Sequence, residues 1–295
     1  LSRTLGIHAP VRLWVALLFV FAGQPAARFF QGEYLFVFGF AWIPWIVHHL
    51  FQVAETPKRS NIAWAALSLA MLYFSGNAYY PFLMLFVLAL FLLVMVPVKQ
   101  KAARRGLLGV DWKQSRMRLL PLLLAGALAL GLIAVHFIPL AEFSPRLNKG
   151  LGAYGSHNLW QIVLDYTSKD TYRLDAFQDL PAREEYYAYI GIMPFLTLAC
   201  LPLAFRMRPR RVLIFLLLVL ALTIIYIDLK DMPWRDWYEK LKILSQFRHL
   251  LRPLIFGSFA ILLLGGLGLD ALWQWLLQIG GTRMRRLAAT AVLGI

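Results

Sequence analysis

The sequence predicts an all-α fold, a bundle of helices that crosses a membrane several times. Of the 295 residues, 60% are hydrophobic and 15% are charged, and the mean hydropathy is +0.63. Water-soluble domains carry about 25% charged residues, so this composition excludes a soluble enzyme. The apolar residues also recur in long runs, many of about 20 residues, the length that a helix needs to cross a hydrocarbon layer about 30 Å thick.

Eight apolar runs along the chain predict eight membrane spans. A ninth run begins at Leu287 and stops at Ile295, which is too short to cross. We therefore expect a polytopic bundle of about eight full spans and a partial ninth, in a single transmembrane domain over residues 1–295. Because the chain begins with Leu1 and ends inside an apolar run, we expect an internal fragment or a truncated protein. The eight predicted spans are 11–24, 34–54, 62–75, 79–98, 119–141, 187–205, 212–229 and 254–277.

The basic residues are concentrated in alternate loops, although the whole chain carries a net charge of +15. Residues 99–118 hold seven basic residues and one acidic residue, and residues 206–211 hold four basic residues. Positively charged loops stay in the cytoplasm. We therefore predict cytoplasmic loops at 99–118 and 206–211, a cytoplasmic N-terminal end, and outer loops at 142–186 and 228–252. The excess charge faces lipid headgroups in this topology, so no nucleic-acid partner is expected.

The two outer loops hold the strongest candidates for binding. Arg248 and Arg252 are four residues apart, so on a helix they would share a face, and two guanidiniums can hold a phosphate or pyrophosphate. Binding ordinary lipid phosphates, or extending to the bilayer surface, is an equally open role for them. In the other loop, residues 159–166 predict a short interfacial helix, with Trp160 and Tyr166 at the headgroup boundary.

Three titratable residues lie close to predicted span ends. Glu33 and Glu142 adjoin such ends, where a site would be partly dry, although solvated ion pairs are the simpler role for both. His136 lies near the outer end of its span, and a polar residue at that depth is a functional candidate by default. A hydrogen bond to a helix carbonyl is the alternative role for this imidazole. The single cysteine, Cys200, lies within a span, so neither a disulfide nor a cysteine-based metal site is expected.

Several short motifs, taken in order, resemble one family. Together they are similar to the YfhO-like bacterial membrane proteins, which belong with the GT-C-type glycosyltransferases. Each motif alone consists of common residues, and the ordered set covers most of the chain. The motifs are Gly32-Glu33, Trp42-Ile-Pro44, Phe74-Ser-Gly-Asn77-Ala-Tyr-Tyr-Pro81, Ile138-Pro-Leu-Ala-Glu142-Phe-Ser144-Pro-Arg146, Tyr189-Ile-Gly-Ile-Met-Pro194, Phe247-Arg248-His-Leu-Leu-Arg252 and Gly265-Gly-Leu-Gly-Leu-Asp270.

The resemblance implies a glycosyltransferase with GT-C-like outer loops in the bacterial cytoplasmic (inner) membrane. Such an enzyme transfers a sugar from a polyprenyl-phosphate donor to an acceptor on the extracytoplasmic face. The site residues that it implies are Glu33 and Glu142 as catalytic carboxylates, Arg248, Arg252 and Arg146 as ligands of the donor phosphate, and Asn77, Tyr80 and His249 as walls of the site.

The sequence departs from the family pattern at Glu33, where such proteins more often show Gly-His. No acidic motif precedes this residue, so the alternative is a catalytic carboxylate outside this chain. No metal-binding motif is visible, so no metal ligand is predicted, and dependence on a divalent cation stays open. The expected partners are membrane lipids and the polyprenyl-phosphate-linked sugar.

Two other functions compete with the enzyme. The first is a non-catalytic scaffold subunit of a larger membrane complex, which would add other membrane subunits to the partners. The second is a transporter or lipid flippase. Transporters carry ionisable residues or broken helices near the middle of the bilayer, whereas these predicted spans are almost free of charge, which disfavours transport.

Overall fold

Every regular element in the part of the chain that the structure describes is an α-helix. The structure is a computed structural model, and it describes residues 1–30, 33–76, 79–98, 111–143, 158–168, 188–228, 240 and 251–279. Within these ranges there is no β-strand, which confirms the all-α prediction. The helices are α1 (Ala9–Val20), α2 (Gly23–Phe30), α3 (Tyr34–Glu55), α4 (Arg59–Phe74), α5 (Tyr79–Met95), α6 (Trp112–Phe143), α7 (Leu159–Thr167), α8 (Met193–Leu198), α9 (Leu201–Met207), α10 (Arg210–Ile227) and α11 (Leu254–Ile279).

Five helical stretches among the described residues are long and apolar enough to cross a membrane. They agree with a multi-pass membrane protein, but the predicted count of about eight full spans and a partial ninth is not supported. The residues of the partial ninth span lie outside the described part of the chain. The five stretches are Ala9–Phe29, Tyr34–Glu55, Trp112–Pro139, Arg210–Ile227 and Leu254–Gln278.

Three predicted spans are not supported, because their helices are short or interrupted. Helices α4 and α5 have 16 and 17 residues, which gives about 24 and 26 Å, less than the hydrocarbon thickness. The predicted span 187–205 is divided into α8 and α9, with 6 and 7 residues. Pro202 is the cause, because it has no N–H and its ring would clash with the carbonyl of residue 198 in a continuous helix. Before it, Ala199 and Cys200 donate to the carbonyls of Leu196 and Thr197 in tight 3₁₀-type turns.

The described chain divides into two compact units that alternate along the sequence. Unit 1 contains Leu1, Gly32–Tyr154 and Lys230–Arg252. Unit 2 contains Ser2–Gln31, Gly155–Leu229 and Pro253–Ile295. The single transmembrane domain predicted over residues 1–295 stays a prediction.

Unit 1 is built from α3, α4, α5 and α6, with α4 packed against both α3 and α6. Helices α3 and α5 begin, and α4 and α6 end, at the same end of the unit. Gly39 permits the close approach of α3 to α5 and to the end of α4. A Cβ there would lie 2.8 Å from a ring carbon of Tyr80 and 2.9 Å from the Ser75 hydroxyl. Helix α6 leaves much of its apolar surface uncovered, and Leu130 and Val135 are 69% and 84% exposed.

Unit 2 is organised around α11, which packs against α1, α8, α9 and α10. All residues of α11 from Leu254 to Ala271 are buried. Small residues let neighbouring backbones approach in such bundles. A Cβ on Gly265 would lie 2.6 Å from the Thr197 hydroxyl and 2.9 Å from the Pro194 carbonyl oxygen, so only glycine permits this approach of α8.

A buried carboxylate fixes the N-terminal segment and α9 to α11. Asp270 is fully buried and forms an ion pair with the guanidinium of Arg208, which follows α9. The backbone N–H of His8 donates to one carboxylate oxygen at 2.8 Å, and the Gln274 amide donates to the other at 2.9 Å. The His8 Nδ1 also lies 2.8 Å from this carboxylate. One side chain thus satisfies donors from three segments of unit 2.

Helix α7 is attached to the beginning of α11 through Tyr166. Its hydroxyl donates to the Leu254 carbonyl at 2.9 Å. Burial, and then the neighbouring Asp165 carboxylate, raise the pKa of Tyr166 well above its usual value, so the hydroxyl stays a donor. A Cβ on Gly257 would overlap this hydroxyl, so the contact requires glycine on α11.

We expect Asp270→Asn to destabilise the protein strongly. The substitution leaves the mostly buried Arg208 guanidinium without a counter-charge, and breaking a buried pair in this way costs about 3–5 kcal/mol. Denaturant unfolding in detergent, followed by circular dichroism, measures the loss. Arg206→Ala is the matched control, because Arg206 is exposed on α9 and should change the free energy of unfolding by about 0.5 kcal/mol or less. Equal stabilities for Asp270→Asn and Arg206→Ala would contradict the assignment.

We expect Gly257→Ala to destabilise the protein by about 1–3 kcal/mol through overlap with the Tyr166 hydroxyl. In a Tyr166→Phe background the same substitution should cost less, because the overlapping oxygen is gone. Gly126→Ala on α6 is the control, since a Cβ there has open space within 4 Å. Thermal unfolding of the four members of the cycle measures the coupling between the two positions. Additive effects would show that the two side chains do not meet.

Candidate functional site

Aromatic side chains from four helices, α3, α4, α5 and α6, lie at one end of unit 1. Phe36 on α3 meets Tyr80 on α5 edge to face, with ring centroids 5.6 Å apart. Tyr80 is 1% exposed and packs over Gly39, beside the Ser75 hydroxyl at the end of α4. We call this the aromatic end of unit 1, defined by Phe36, Tyr73, Tyr79, Tyr80 and His136.

Arg252 lies against the aromatic end. Its guanidinium carbon is 3.9 Å from the ring centroid of Tyr79 and 4.8 Å from that of Phe36. Both distances are within the range of cation–π attraction, which contributes about 0.5–1 kcal/mol at exposed sites and more when water is excluded. Two helices therefore fix the position of one half-buried positive charge.

Glu33 belongs to the same end of the unit. It directly precedes α3, and its carbonyl accepts a hydrogen bond of 3.0 Å from the backbone N–H of Phe36. The side chain is half-buried. The structure thus brings three of the predicted site residues, Glu33, Tyr80 and Arg252, to one end of one unit.

The remaining predicted site residues are less closely grouped or lie beyond the described ranges. Glu142 is exposed in the last turn of α6, at the same end of unit 1. Glu142 follows His136 by six residues along α6, and this separation sets its distance from the aromatic end. The residues outside the described part of the chain are Asn77, Arg146, Arg248 and His249.

His136 has a side-chain partner rather than the helix carbonyl considered from the sequence. Its Nδ1 lies 3.0 Å from the hydroxyl of Tyr73 at the end of α4. The two rings meet edge to face at 5.7 Å, and Phe74 lies 6.3 Å from the imidazole centroid. His136 is exposed, and Phe74 and Phe137 beside it are 46% and 54% exposed. An oriented imidazole between exposed rings is a second polar feature of this end.

The sequence did not predict the burial of two charged residues in unit 2. Arg28 on α2 and Asp165 on α7 are each only 1% exposed. The predicted helix over residues 159–166 is present as α7, and a capping box between Asn158 and Gln161 fixes its N-terminus. The predicted position of Tyr166 at the headgroup boundary is wrong, because its ring is buried and its hydroxyl donates to the Leu254 carbonyl. Its buried face contains Ile162, Asp165 and Tyr166, whereas Trp160 is 66% exposed. The spacing of positions 162, 165 and 166 places them on one face of a helix, and this signal could have identified Asp165.

Metal binding finds no support in the described residues. Among them, no group of three or more His, Cys, Asp or Glu side chains could hold a metal ion. Dependence on a divalent cation therefore stays an open expectation.

Comparisons with known proteins do not assign the chain to a family. No model of a known protein family matches it, and neither a curated protein nor a solved structure matches it. The likeness to YfhO-like proteins, which depends on short ordered motifs, stays a prediction.

Proposed function

We propose that the chain is a membrane glycosyltransferase, or a part of one, that transfers a sugar from a polyprenyl-phosphate donor to an acceptor on the extracytoplasmic face. The observation that carries this proposal is Arg252, held against Tyr79 and Phe36 at the end of unit 1 where Glu33 also lies. A fixed cation and a half-buried carboxylate are the two groups that such a transfer needs.

In this proposal Arg252 binds the phosphate of the donor lipid. Transfer breaks the bond between the sugar and its phosphate, so negative charge grows on the leaving phosphate. A guanidinium stabilises that charge at every physiological pH, and one that is already positioned does so without reorganisation. The aromatic faces of Tyr79 and Phe36 hold Arg252 in place before the ligand arrives.

Glu33 is the proposed general base. A carboxylate can take the proton of the acceptor hydroxyl as that oxygen attacks the sugar, if the two lie within hydrogen-bond reach. The half-buried position of Glu33 favours this role over the exposed Glu142. If the base lies outside this chain, Glu33 instead shapes the site.

The uncovered surface of α6 supports a lipid-linked substrate. Its exposed leucines and Val135 form an apolar surface that ends near the aromatic end of unit 1. A polyprenyl tail lying along such a surface would place its phosphate at the aromatic end. Because burial of each CH₂ group is favourable by about 0.8 kcal/mol, the tail can supply much of the affinity.

The proposed location is the bacterial inner membrane, with the N-terminal end in the cytoplasm. The basic segment 99–118 supports this orientation. It follows α5, and its residues 112–118 form the first turns of α6 rather than a loop, so its charge belongs to the end of unit 1 where α5 ends and α6 begins. The opposite, aromatic end of unit 1 then faces the extracytoplasmic side, where the acceptor would be.

A non-catalytic scaffold subunit is the second candidate. The observation that favours it is the same uncovered face of α6, which another membrane subunit could cover. The two functions differ in a direct assay, because only the enzyme transfers label from a radiolabelled polyprenyl-phosphate sugar. A stable stoichiometric partner without transfer would support the scaffold.

We expect Arg252→Ala to weaken binding of undecaprenyl phosphate by about 10- to 100-fold. This range corresponds to a charge-assisted hydrogen bond of about 1.5–3 kcal/mol. Arg252→Lys should recover only part of the affinity, because lysine keeps the charge and loses the planar donor group. Binding to the protein in nanodiscs, with a fluorescent lipid analogue as the probe, measures both effects.

Arg59→Ala is the control, since Arg59 is exposed at the opposite end of unit 1 and should leave binding unchanged. Equal affinities for Arg252→Ala and the unsubstituted protein would refute the phosphate assignment. Glu33→Gln then tests the base: it should abolish transfer and preserve donor binding. Full transfer activity in Glu33→Gln would show that the base is another group.

A further inference from the structure

We propose that His136, oriented by Tyr73, is a sugar-binding residue that donates a hydrogen bond to a hydroxyl of the donor sugar. This inference rests on the proposed function and adds a part of the site that recognises the carbohydrate rather than the phosphate. It concerns unit 1 alone, because both residues belong to that unit.

The first step is the depth of His136. It lies within the apolar stretch Trp112–Pro139, less than one helical turn from its end, and it is exposed rather than packed in the core. Ionisable side chains are rare within membrane-spanning stretches, and one that occurs there is a functional candidate by default. Core packing does not explain an imidazole here.

The second step is the hydrogen bond to Tyr73. The phenol oxygen and Nδ1 lie 3.0 Å apart, and either atom can donate, depending on the imidazole tautomer. In the proposed tautomer the phenol donates to Nδ1 and the neutral imidazole carries its proton on Nε2, with Tyr73 holding the ring orientation. The result is an Nε2–H donor at an exposed position.

The third step is the surface around the imidazole. Phe74 and Phe137 flank it and are 46% and 54% exposed. A sugar ring presents C–H groups on its faces and hydroxyls at its edge. Exposed aromatic rings can pack against the C–H faces, and one oriented donor can bind a hydroxyl at the edge. Ligand sites typically combine such apolar walls with a few positioned polar groups.

The fourth step separates this surface from the phosphate position. Arg252 lies over Tyr79 and Phe36, on α5 and α3, whereas His136 pairs with Tyr73 of α4. Both positions lie at the aromatic end of unit 1, and they involve different helices. A phosphate at Arg252 and its attached sugar towards His136 would use the two positions together.

The test compares bare undecaprenyl phosphate with undecaprenyl phosphate that carries glucose, mannose or N-acetylglucosamine. The unsubstituted protein in nanodiscs should bind at least one sugar-bearing lipid more tightly than the bare lipid. His136→Ala should weaken binding of that lipid by about two- to tenfold, the loss expected for one neutral hydrogen bond, and should leave bare-lipid binding unchanged.

Conservative variants identify the atom responsible. His136→Gln places an amide N–H near the Nε2 position and should recover most of the sugar-dependent affinity. His136→Asn places it near Nδ1 and should resemble alanine. Tyr73→Phe keeps the ring and removes the donor, so it should reduce the sugar-dependent affinity without changing binding of the bare lipid. Arg59→Ala is the control, since Arg59 is exposed at the opposite end of unit 1.

The results test the role of His136 separately from the phosphate site at Arg252. Unchanged sugar binding in His136→Ala, equal losses for bare and sugar-bearing lipid, or no preference for any sugar in the unsubstituted protein would overturn the role of His136. Unchanged binding of all lipids in Arg252→Ala would overturn the phosphate site and so the proposed function. If His136→Ala reduced sugar-dependent binding while Arg252→Ala changed no lipid binding, the chain would have a carbohydrate site but would belong to a different class of protein.

Discussion

Polar groups among apolar helices need partners, and the described parts of both units are organised by this requirement. Burying a charge or a hydroxyl without a hydrogen bond costs several kcal/mol. The Asp270 carboxylate accepts from donors in three segments. The Tyr166 hydroxyl donates to the Leu254 carbonyl at the other end of α11. In unit 1 the exposed His136 is paired with Tyr73. These contacts join the N-terminal segment, the end of α9 and α7 to α11, and α4 to α6, in addition to the apolar packing between helices.

The helical fold could be predicted from composition and apolar length, and the number of spans could not. Hydropathy measures how apolar a run is, but it does not measure whether the helix is continuous. The run 187–205 is apolar throughout, and Pro202 still divides it into α8 and α9. Helices α4 and α5 are apolar as well, and end after 16 and 17 residues. Continuity depends on local backbone chemistry, which an average over a run hides.

The candidate site was predictable in part, because residue type can be read from sequence and tertiary partners cannot. The arginine spacing near the start of α11 pointed to Arg252, yet the partners of this guanidinium come from α3 and α5. The depth of His136 made it a functional candidate, yet its partner lies 63 residues away on α4. Position along a helix axis follows from counting residues, whereas the neighbour across a helix interface depends on packing.

The distribution of ionisable groups also bears on transport. A transported ion or proton needs a group near the middle of the bilayer that can exchange partners. Within the five described spans, Asp270 is the carboxylate furthest from a span end. Its oxygens are already held by Arg208, the His8 N–H and Gln274. If Asp270 exchanged these partners, the buried Arg208 guanidinium would lose its counter-charge. Asp270 is therefore suited to fixing α11 in place and unsuited to carrying an ion. Among the described residues of unit 1, Glu33, Arg252 and His136 lie at the aromatic end rather than at mid-helix, which agrees with the transfer reaction proposed for that end.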